Sequence, residues 1–178
     1  MPERGEGVKA RNMVQCGLFA AVLTVCAWIA VPLGHIAVTL QTFGVFLTLG
    51  LLGGKRGSAT IGVYLLLGLL GAPVFSGFRG GASALLGATG GYLFGFLGAG
   101  LVYWLVTALV RKPIAQPLGM AAGLLLCYLI GSVWFSLVYL PGTDIWAAAV
   151  TCVVPYVIPD LLKLALAWFL TRRLHRFV

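Results

Sequence analysis

The sequence contains few charged residues, and very few of them are acidic. Of its 178 residues, 9% are Asp, Glu, Lys or Arg, and four are acidic. A soluble domain would carry about a quarter charged residues. Because 61% of the residues are hydrophobic and the apolar runs are long and continuous, the bilayer is the expected solvent. We predict an all-α polytopic membrane protein that forms one domain, residues 1–178, with a cytoplasmic tail at 1–11.

The scarcity of acids, histidines and paired cysteines argues against an enzyme. His35 and His175 lie far apart, and no H-E-x-x-H motif occurs. The four cysteines lie in apolar segments without a C-x-x-C pair, which is typical of small packing residues. The stretch "GLLGGKRG", residues 50–57, is one residue too short for a phosphate loop and has Arg where Ser or Thr should follow Lys. We therefore expect no catalysis, no metal or cofactor, and no ATPase within this chain.

Apolar runs separated by prolines predict six transmembrane helices. A helix needs about 20 residues to cross the hydrocarbon core. The predicted spans are 13–31, 38–53, 58–70, 90–110, 118–140 and 159–174. The apolar piece 145–154 is too short to cross, and we interpret it as a re-entrant or interfacial segment before helix six. The stretch 71–96 begins as a glycine-rich external loop, which is either a lid over a ligand or an ordinary flexible loop.

Basic residues predict the orientation of these helices. Ten of the 12 lysines and arginines lie before span one or shortly after spans two, four and six. With six crossings, these positions share one side, so the positive-inside rule places both termini in the cytoplasm of a cell-membrane protein. The other two are Arg79, in the external loop, and Lys163, in the last span. The basic residues form no aromatic-laced face, which argues against a nucleic-acid partner.

Two ions interrupt the last apolar segment, "VVPYVIPDLLKLALAWF". Asp160 and Lys163 are three residues apart and so share one face of a helix. An ion near the bilayer centre costs about 2.5–3.5 kcal/mol and usually marks a ligand or ion path. We expect Pro159 to begin the helix, with Asp160 at its N-terminus. An Asp acceptor beside a Lys donor suits a urea or amide group, whereas the structural alternative is a buried ion pair that joins helices.

Three stretches resemble the BioY family, the biotin-binding S components of energy-coupling factor (ECF) transporters. They are "VTLQTFGVFLTLGLLGGKRG", "LLLGLLGAPVFSGFRGGASALLGATGGYLFGF" and "IPDLLK", in the family's order. The resemblance extends from about Arg11 to Arg173. Ala88 departs from it, since many members have Pro in "GPTGGY". The resemblance implies six helices, cytoplasmic termini, an external ligand pocket built from loops and the start of helix six, and high-affinity biotin uptake.

The resemblance also implies how polar residues would hold biotin. Asp160 would accept a hydrogen bond from a ureido N–H, and Lys163 would donate to the ureido carbonyl or a nearby acceptor. Gln41 and Thr39, in "TLQT" at the outer end of span two, could add hydrogen bonds. Their alternative role is a hydrogen bond between helices.

Aromatic residues and one external arginine complete the expected site. Phe75, Tyr92 and Tyr156 would cover the apolar ring system of biotin, although Phe75 and Tyr92 could simply be aromatics of the membrane interface. Arg79 is the candidate for the valerate carboxylate. That assignment depends on its charge and the shape of its guanidinium group, because no family motif covers this position.

As partners, the resemblance implies a transmembrane T subunit and two cytoplasmic ATPases, in addition to membrane lipid. Gly17, Ala20 and Ala21 are small residues of span one, at a spacing that lets helices approach closely. We expect them to dock the T subunit, and the alternative is packing within this chain. Two other functions stay open: an S component for a different vitamin, and a non-transport assembly protein with a structural pair of Asp160 and Lys163.

Overall fold

The fold is mainly helical, and its elements surround a large and a small buried hydrophobic cluster. The structure is a computed structural model, and it describes residues 3–33 and 36–174. The elements are α1 Glu3–Trp28, β1 Ala30–Leu33, β2 Ile36–Thr39, α2 Gln41–Leu69, α3 Ala82–Leu85, α4 Gly90–Leu109, α5 Ala115–Trp134, α6 Ile145–Cys152 and α7 Val154–Leu174. A π-helical turn, Phe135–Tyr139, continues α5. His35, His175 and Arg176, which entered the sequence predictions, lie outside the described residues.

Four helices of the described chain are long and apolar enough to cross a membrane. They are Lys9–Trp28, Gly90–Leu109, Ala115–Tyr139 and Val154–Leu174. They correspond to predicted spans one, four, five and six. Much of each helix surface is apolar and exposed, as expected when lipid rather than water is the neighbour. α1 begins at Glu3 and so includes most of the stretch that was predicted as a cytoplasmic tail at 1–11.

The helix α2 reverses its direction at Gly53. The backbone there has φ 77° and ψ 167°, a conformation that glycine adopts without strain. Gln41 Nε2 lies 2.7 Å from the Tyr64 hydroxyl, whereas a straight helix would separate these residues by about 34 Å along its axis. The element therefore has two antiparallel halves, 41–52 and 54–69, near predicted spans two and three. Each half is shorter than the roughly 20 residues of a full crossing.

The all-α prediction requires one correction, because a short antiparallel β-hairpin follows α1. Ala30 pairs with Thr39, and Val31 pairs with Val38. β-Branched residues are frequent in this stretch and favour extended backbone. The hairpin replaces the predicted end of span one and the predicted start of span two.

The last helix begins earlier than predicted. α7 begins at Val154, and Pro159 lies inside it. A proline in the first turn is tolerated because the N–H groups there have no partner within the helix, and Pro155 occupies that place. Asp160 is therefore the seventh residue of α7 instead of a residue at its N-terminus. The predicted stabilisation of Asp160 by the helix dipole is wrong, since that effect fades within the first turn.

The short segment before the last helix is itself a helix, α6. The Asp144 carboxylate caps it by accepting hydrogen bonds from the backbone N–H groups of Trp146, at 3.0 Å, and Ala147, at 3.3 Å. Its buried face, Ala148 and Cys152, packs with residues of β2, the π-helical turn and α7. α6 therefore forms one wall beside the start of α7.

The basic clusters meet at one end of the helices. Arg56 Nη1 donates to Asn12 Oδ1 at 3.0 Å, which joins the turn of α2 to the start of α1. Arg111, Lys112 and Arg172 line the same cleft as Arg56. The described clusters of predicted spans two, four and six therefore share one side, as the predicted topology requires. We call this side the basic end.

Candidate functional site

A cavity lies at the end of the molecule opposite the basic end. Its empty volume is about 600 Å³, which includes the space at its open mouth. Its walls come from β2, the starts of α2 and α4, the loop before α3, and α5, α6 and α7. Seven predicted site residues line it: Thr39, Gln41, Phe75, Tyr92, Tyr156, Asp160 and Lys163.

Asp160 and Lys163 form a buried ion pair in the cavity wall. Lys163 Nζ donates to Asp160 Oδ1 at 2.7 Å, as the spacing of three residues on a helix allows. The Tyr128 hydroxyl, from α5, donates to Asp160 Oδ2 at 2.9 Å. Asp160 and Lys163 are only 5% and 9% exposed. The carboxylate can accept further hydrogen bonds, and the ammonium has three N–H donors, so both groups retain capacity for a ligand.

Tyr128 is the residue of this cluster that the sequence predictions missed. It lies in a long apolar run, where a tyrosine looks like any interfacial aromatic. Ser132 and Ser136 follow it at intervals of four residues, and both are buried. Polar residues at this spacing lie on one face of an otherwise apolar helix. The pattern could have predicted that this face of α5 contacts polar groups. Thr42, Ser76 and Thr89 also line the cavity.

Gln41 belongs to the cavity and to a helix–helix hydrogen bond at once. Its Nε2 donates to the Tyr64 hydroxyl at 2.7 Å, and that hydroxyl donates to Val74 O at 2.9 Å. The two halves of α2 and the loop before α3 are thereby connected. Thr39 Oγ1 accepts from the backbone N–H of Gln41 at 3.2 Å. Gln41 therefore makes the helix–helix hydrogen bond that was the alternative to ligand binding, and it also lines the cavity.

Aromatic rings form the apolar walls of the cavity, and their polar tips are anchored. The Tyr92 hydroxyl, on α4, donates to Cys152 O at 2.7 Å. The Tyr156 hydroxyl, on α7, donates to Ile36 O of the hairpin. Phe75 packs edge-on against Tyr64, with ring centroids 5.5 Å apart. These contacts hold the aromatic rings in place. Their faces are suited to pack against the apolar parts of a ligand.

Cys152 lines the same cavity at the end of α6. Its side chain is buried, and burial raises the pKa of the Cys152 thiol to about 11. The thiol is therefore protonated at neutral pH and behaves as a small apolar group. Among the described residues, no cluster of three or more His, Cys, Asp or Glu side chains could hold a metal ion.

Arg79 lies outside the cavity lining. Its side chain is exposed, and its Nε donates to Ser76 O at 3.2 Å. Its carbonyl accepts from the backbone N–H of Phe75 at 2.9 Å. The residue therefore closes a tight loop, in which Phe78 adopts a positive φ of 57°. The expected contact between Arg79 and a ligand carboxylate stays a prediction, since Arg79 is not part of the cavity lining and its Nε bonds the loop beside the cavity.

The three small residues of α1 divide into two groups. Gly17 and Ala21 are exposed, and a Cβ at Gly17 would meet no atom within 4 Å. Ala20 is 4% exposed and belongs to the hydrophobic core. Ala20 therefore packs within the chain and cannot face a partner, which corrects its predicted role. Gly17 and Ala21 leave a shallow surface on which another helix can approach closely.

The chain is similar to known proteins along most of its length. The family model described as BioY family matches residues 1–178. The biotin transporter BioY of Thermotoga maritima is 41% identical over 167 residues, which cover 93% of this chain and 96% of that protein. The probable biotin transporter BioY of Pyrococcus horikoshii is 39% identical over 168 residues, with 94% and 98% covered.

Two solved structures share the fold. The S component for biotin from an ECF-type ABC transporter superposes with a TM-score of 0.86 at 22% identity, covering 100% of this chain and 96% of that one. The S component of a bacterial ECF transporter gives a TM-score of 0.62 at 16% identity, with 95% and 98% covered. At these identities, the likeness establishes the fold alone.

Proposed function

The chain belongs to the BioY family, and we infer that it binds biotin with high affinity as the S component of an ECF transporter for biotin uptake. One structural observation carries this proposal. A buried cluster of Asp160, Lys163 and Tyr128 lies in the wall of a cavity whose other walls are largely aromatic and apolar. Biotin has the matching division into a polar ureido group and an apolar ring system.

We propose that Asp160 accepts a ureido N–H and that Lys163 donates to the ureido oxygen. Each already makes a hydrogen bond in the described structure, at 2.7 Å to the other. Charge-assisted hydrogen bonds are strong in a buried setting, and the ureido group can add to this pair without separating it. Phe75, Tyr92 and Tyr156 would then enclose the fused rings.

The proposed orientation places the basic end in the cytoplasm and the cavity outside. The shared side of the basic clusters supports it through the positive-inside rule. We further propose that the two halves of α2 complete six crossings, although each is short. Buried contacts with α1, α4 and α7 would cover their polar backbone ends, which allows a helix shorter than about 20 residues at membrane depth.

As partners, we propose a transmembrane T subunit and two ATPase subunits. The chain itself offers one suitable surface, the exposed small residues Gly17 and Ala21 on α1. Small side chains let the backbones of two helices approach closely, and this favours association within lipid.

A structural role for the polar cluster is the second candidate function. The hydrogen bond from Tyr128 to Asp160 joins α5 to α7, as expected of a pair that only holds helices together. That function predicts no saturable ligand. It also predicts strong destabilisation when Asp160 is replaced, since an uncompensated Lys163 would stay buried.

Calorimetric titration of the purified chain with biotin separates the two functions. We expect saturable binding by the natural chain and at least tenfold weaker binding by Asp160→Asn, because the amide removes the negative charge and replaces one acceptor oxygen by N–H donors. The matched control is Asp144→Asn, which changes an acid outside the cavity. Equal affinity of Asp160→Asn and the natural chain would contradict the assigned role. Mass spectrometry of protein purified without added ligand would reveal a different vitamin.

A further inference from the structure

A second, larger cleft lies at the basic end. It encloses about 1400 Å³, its open mouth included, between the turn of α2, the end of α4, the start of α5 and the end of α7. The biotin cavity lies near the opposite ends of these helices. The cleft is therefore separate from the site of the proposed function.

Four cations converge on this cleft without a described anion to balance them. Arg56, Arg111, Lys112 and Arg172 all line it. Among residues 3–33 and 36–174, the ion pair present joins Asp160 to Lys163, which lie at the opposite end of the molecule. Arg56 donates to neutral oxygens, Asn12 Oδ1 and Leu52 O. Four like charges around one opening attract an anion, and guanidinium forks suit phosphate oxygens.

Helix packing fixes the walls of this cleft. Gly54, at the turn of α2, lies so close to Trp104 of α4 that a Cβ would overlap it. Arg172 lies over the ring of Trp168, with its Cζ 5.2 Å from the centroid. The Thr107 side chain also lines the opening. The space between these helices is therefore preformed, and Arg172 is held at its edge by Trp168.

Exposed apolar side chains continue from the cleft along α4 and α5. Ile114 lines the cleft and is 60% exposed, and Leu109 is 73% exposed. Leu105 and Leu118 are exposed on the adjoining turns. In a membrane protein, these side chains face acyl chains. A phosphate subsite beside an acyl-chain surface has the layout of one phospholipid.

We propose that this cleft binds the phosphate headgroup of an anionic phospholipid, with its acyl chains against α4 and α5. Anionic lipids are enriched where the positive-inside rule places this end, and basic pockets between helices are suited to their headgroups. The proposal needs the membrane location and orientation of the chain but does not depend on biotin recognition.

Native mass spectrometry of the full chain in neutral detergent tests this site. The probes are phosphatidylglycerol and cardiolipin, with phosphatidylcholine as the neutral reference. We expect retention of the anionic lipids and a loss of about fivefold in affinity for each cation removed by Arg111→Gln, Lys112→Gln or Arg172→Gln. The matched control is Arg173→Gln, because Arg173 lies over Phe169 and does not line the cleft. It should bind these lipids within about twofold of the natural chain.

Three results would overturn the proposal: equal retention of phosphatidylcholine, equal losses for Arg172→Gln and Arg173→Gln, or displacement of the lipid by inorganic phosphate at equal concentration. The last result would identify free phosphate as the ligand. Biotin titration of every variant checks the fold. Unchanged biotin affinity together with weakened lipid retention supports lipid binding in the cleft. Because the two affinities are measured separately, a failure of the lipid site can be distinguished from a failure of biotin binding.

Discussion

The Tyr128 hydroxyl on α5 donates a 2.9 Å hydrogen bond to Oδ2 of Asp160 on α7. With Lys163 on Oδ1, both carboxylate oxygens are held before any ligand arrives. A preorganised acceptor spares a ligand the entropic cost of ordering the side chain. We therefore propose that Tyr128 is a positioning residue in the biotin site.

Replacing Tyr128 with Phe should weaken biotin binding by about fivefold to tenfold, because one hydrogen bond to a charged group is lost. Calorimetric titration of the purified variant measures the change. Tyr103→Phe is the matched control, since Tyr103 is also buried but lines the cleft at the basic end. Equal affinities of Tyr128→Phe and Tyr103→Phe for biotin would show that the Tyr128 hydroxyl does not orient Asp160.

The sequence predicted the parts of this fold that depend on local spacing. The contact between Asp160 and Lys163 follows from helical geometry alone, and their presence in a cavity wall agrees with the cost of burying ions in lipid. The common side of the basic clusters follows from the positive-inside rule. These features need no knowledge of which helices pack together.

Features that depend on tertiary contacts were missed. The partner of Tyr128 lies 32 residues away, and no local pattern indicates it. Pro159 resembled a helix start, but the preceding turn is stabilised by packing of Tyr156 and α6. Arg79 was assigned by charge alone, and charge does not indicate the hydrogen bond from its Nε to Ser76 O.

The aromatic wall depends on a glycine beneath Phe75. A Cβ at Gly68 would overlap the Phe75 ring, and Gly68 O also accepts from the backbone N–H of Gly81 at 2.7 Å. Gly68→Ala should therefore displace Phe75 and weaken biotin binding by about tenfold, as judged by titration.

Gly62→Ala is the matched control, because it lies in the same half of α2 and a Cβ there meets no atom within 4 Å. It should leave affinity unchanged and raise the unfolding free energy by about 0.5–1 kcal/mol, since alanine favours helix over glycine. If Gly68→Ala binds biotin like Gly62→Ala, the packing of Phe75 does not shape the site.

The exposed surface of α1 predicts a separation of docking from ligand binding. Ala21→Trp should prevent copurification with the T subunit and ATPases while biotin affinity stays within about twofold, because the bulky ring keeps a partner helix at a distance. Ala20→Trp is the contrasting variant. It should destabilise the chain itself, because Ala20 lies in the core. Normal copurification of Ala21→Trp would exclude this surface as the docking site.

Cys152 provides a chemical probe of the cavity. Because burial raises the pKa of its thiol to about 11, the reactive thiolate is scarce near pH 8. Alkylation of Cys152 by N-ethylmaleimide, followed at each cysteine by mass spectrometry, should accelerate about tenfold per pH unit from pH 8 to 10.

Bound biotin should slow the alkylation of Cys152, since Cys152 lines the cavity. Cys16 lines no part of that cavity and should react at the same rate with or without biotin. Equal protection of both thiols would indicate a general tightening of the protein, and no protection of Cys152 would place biotin elsewhere.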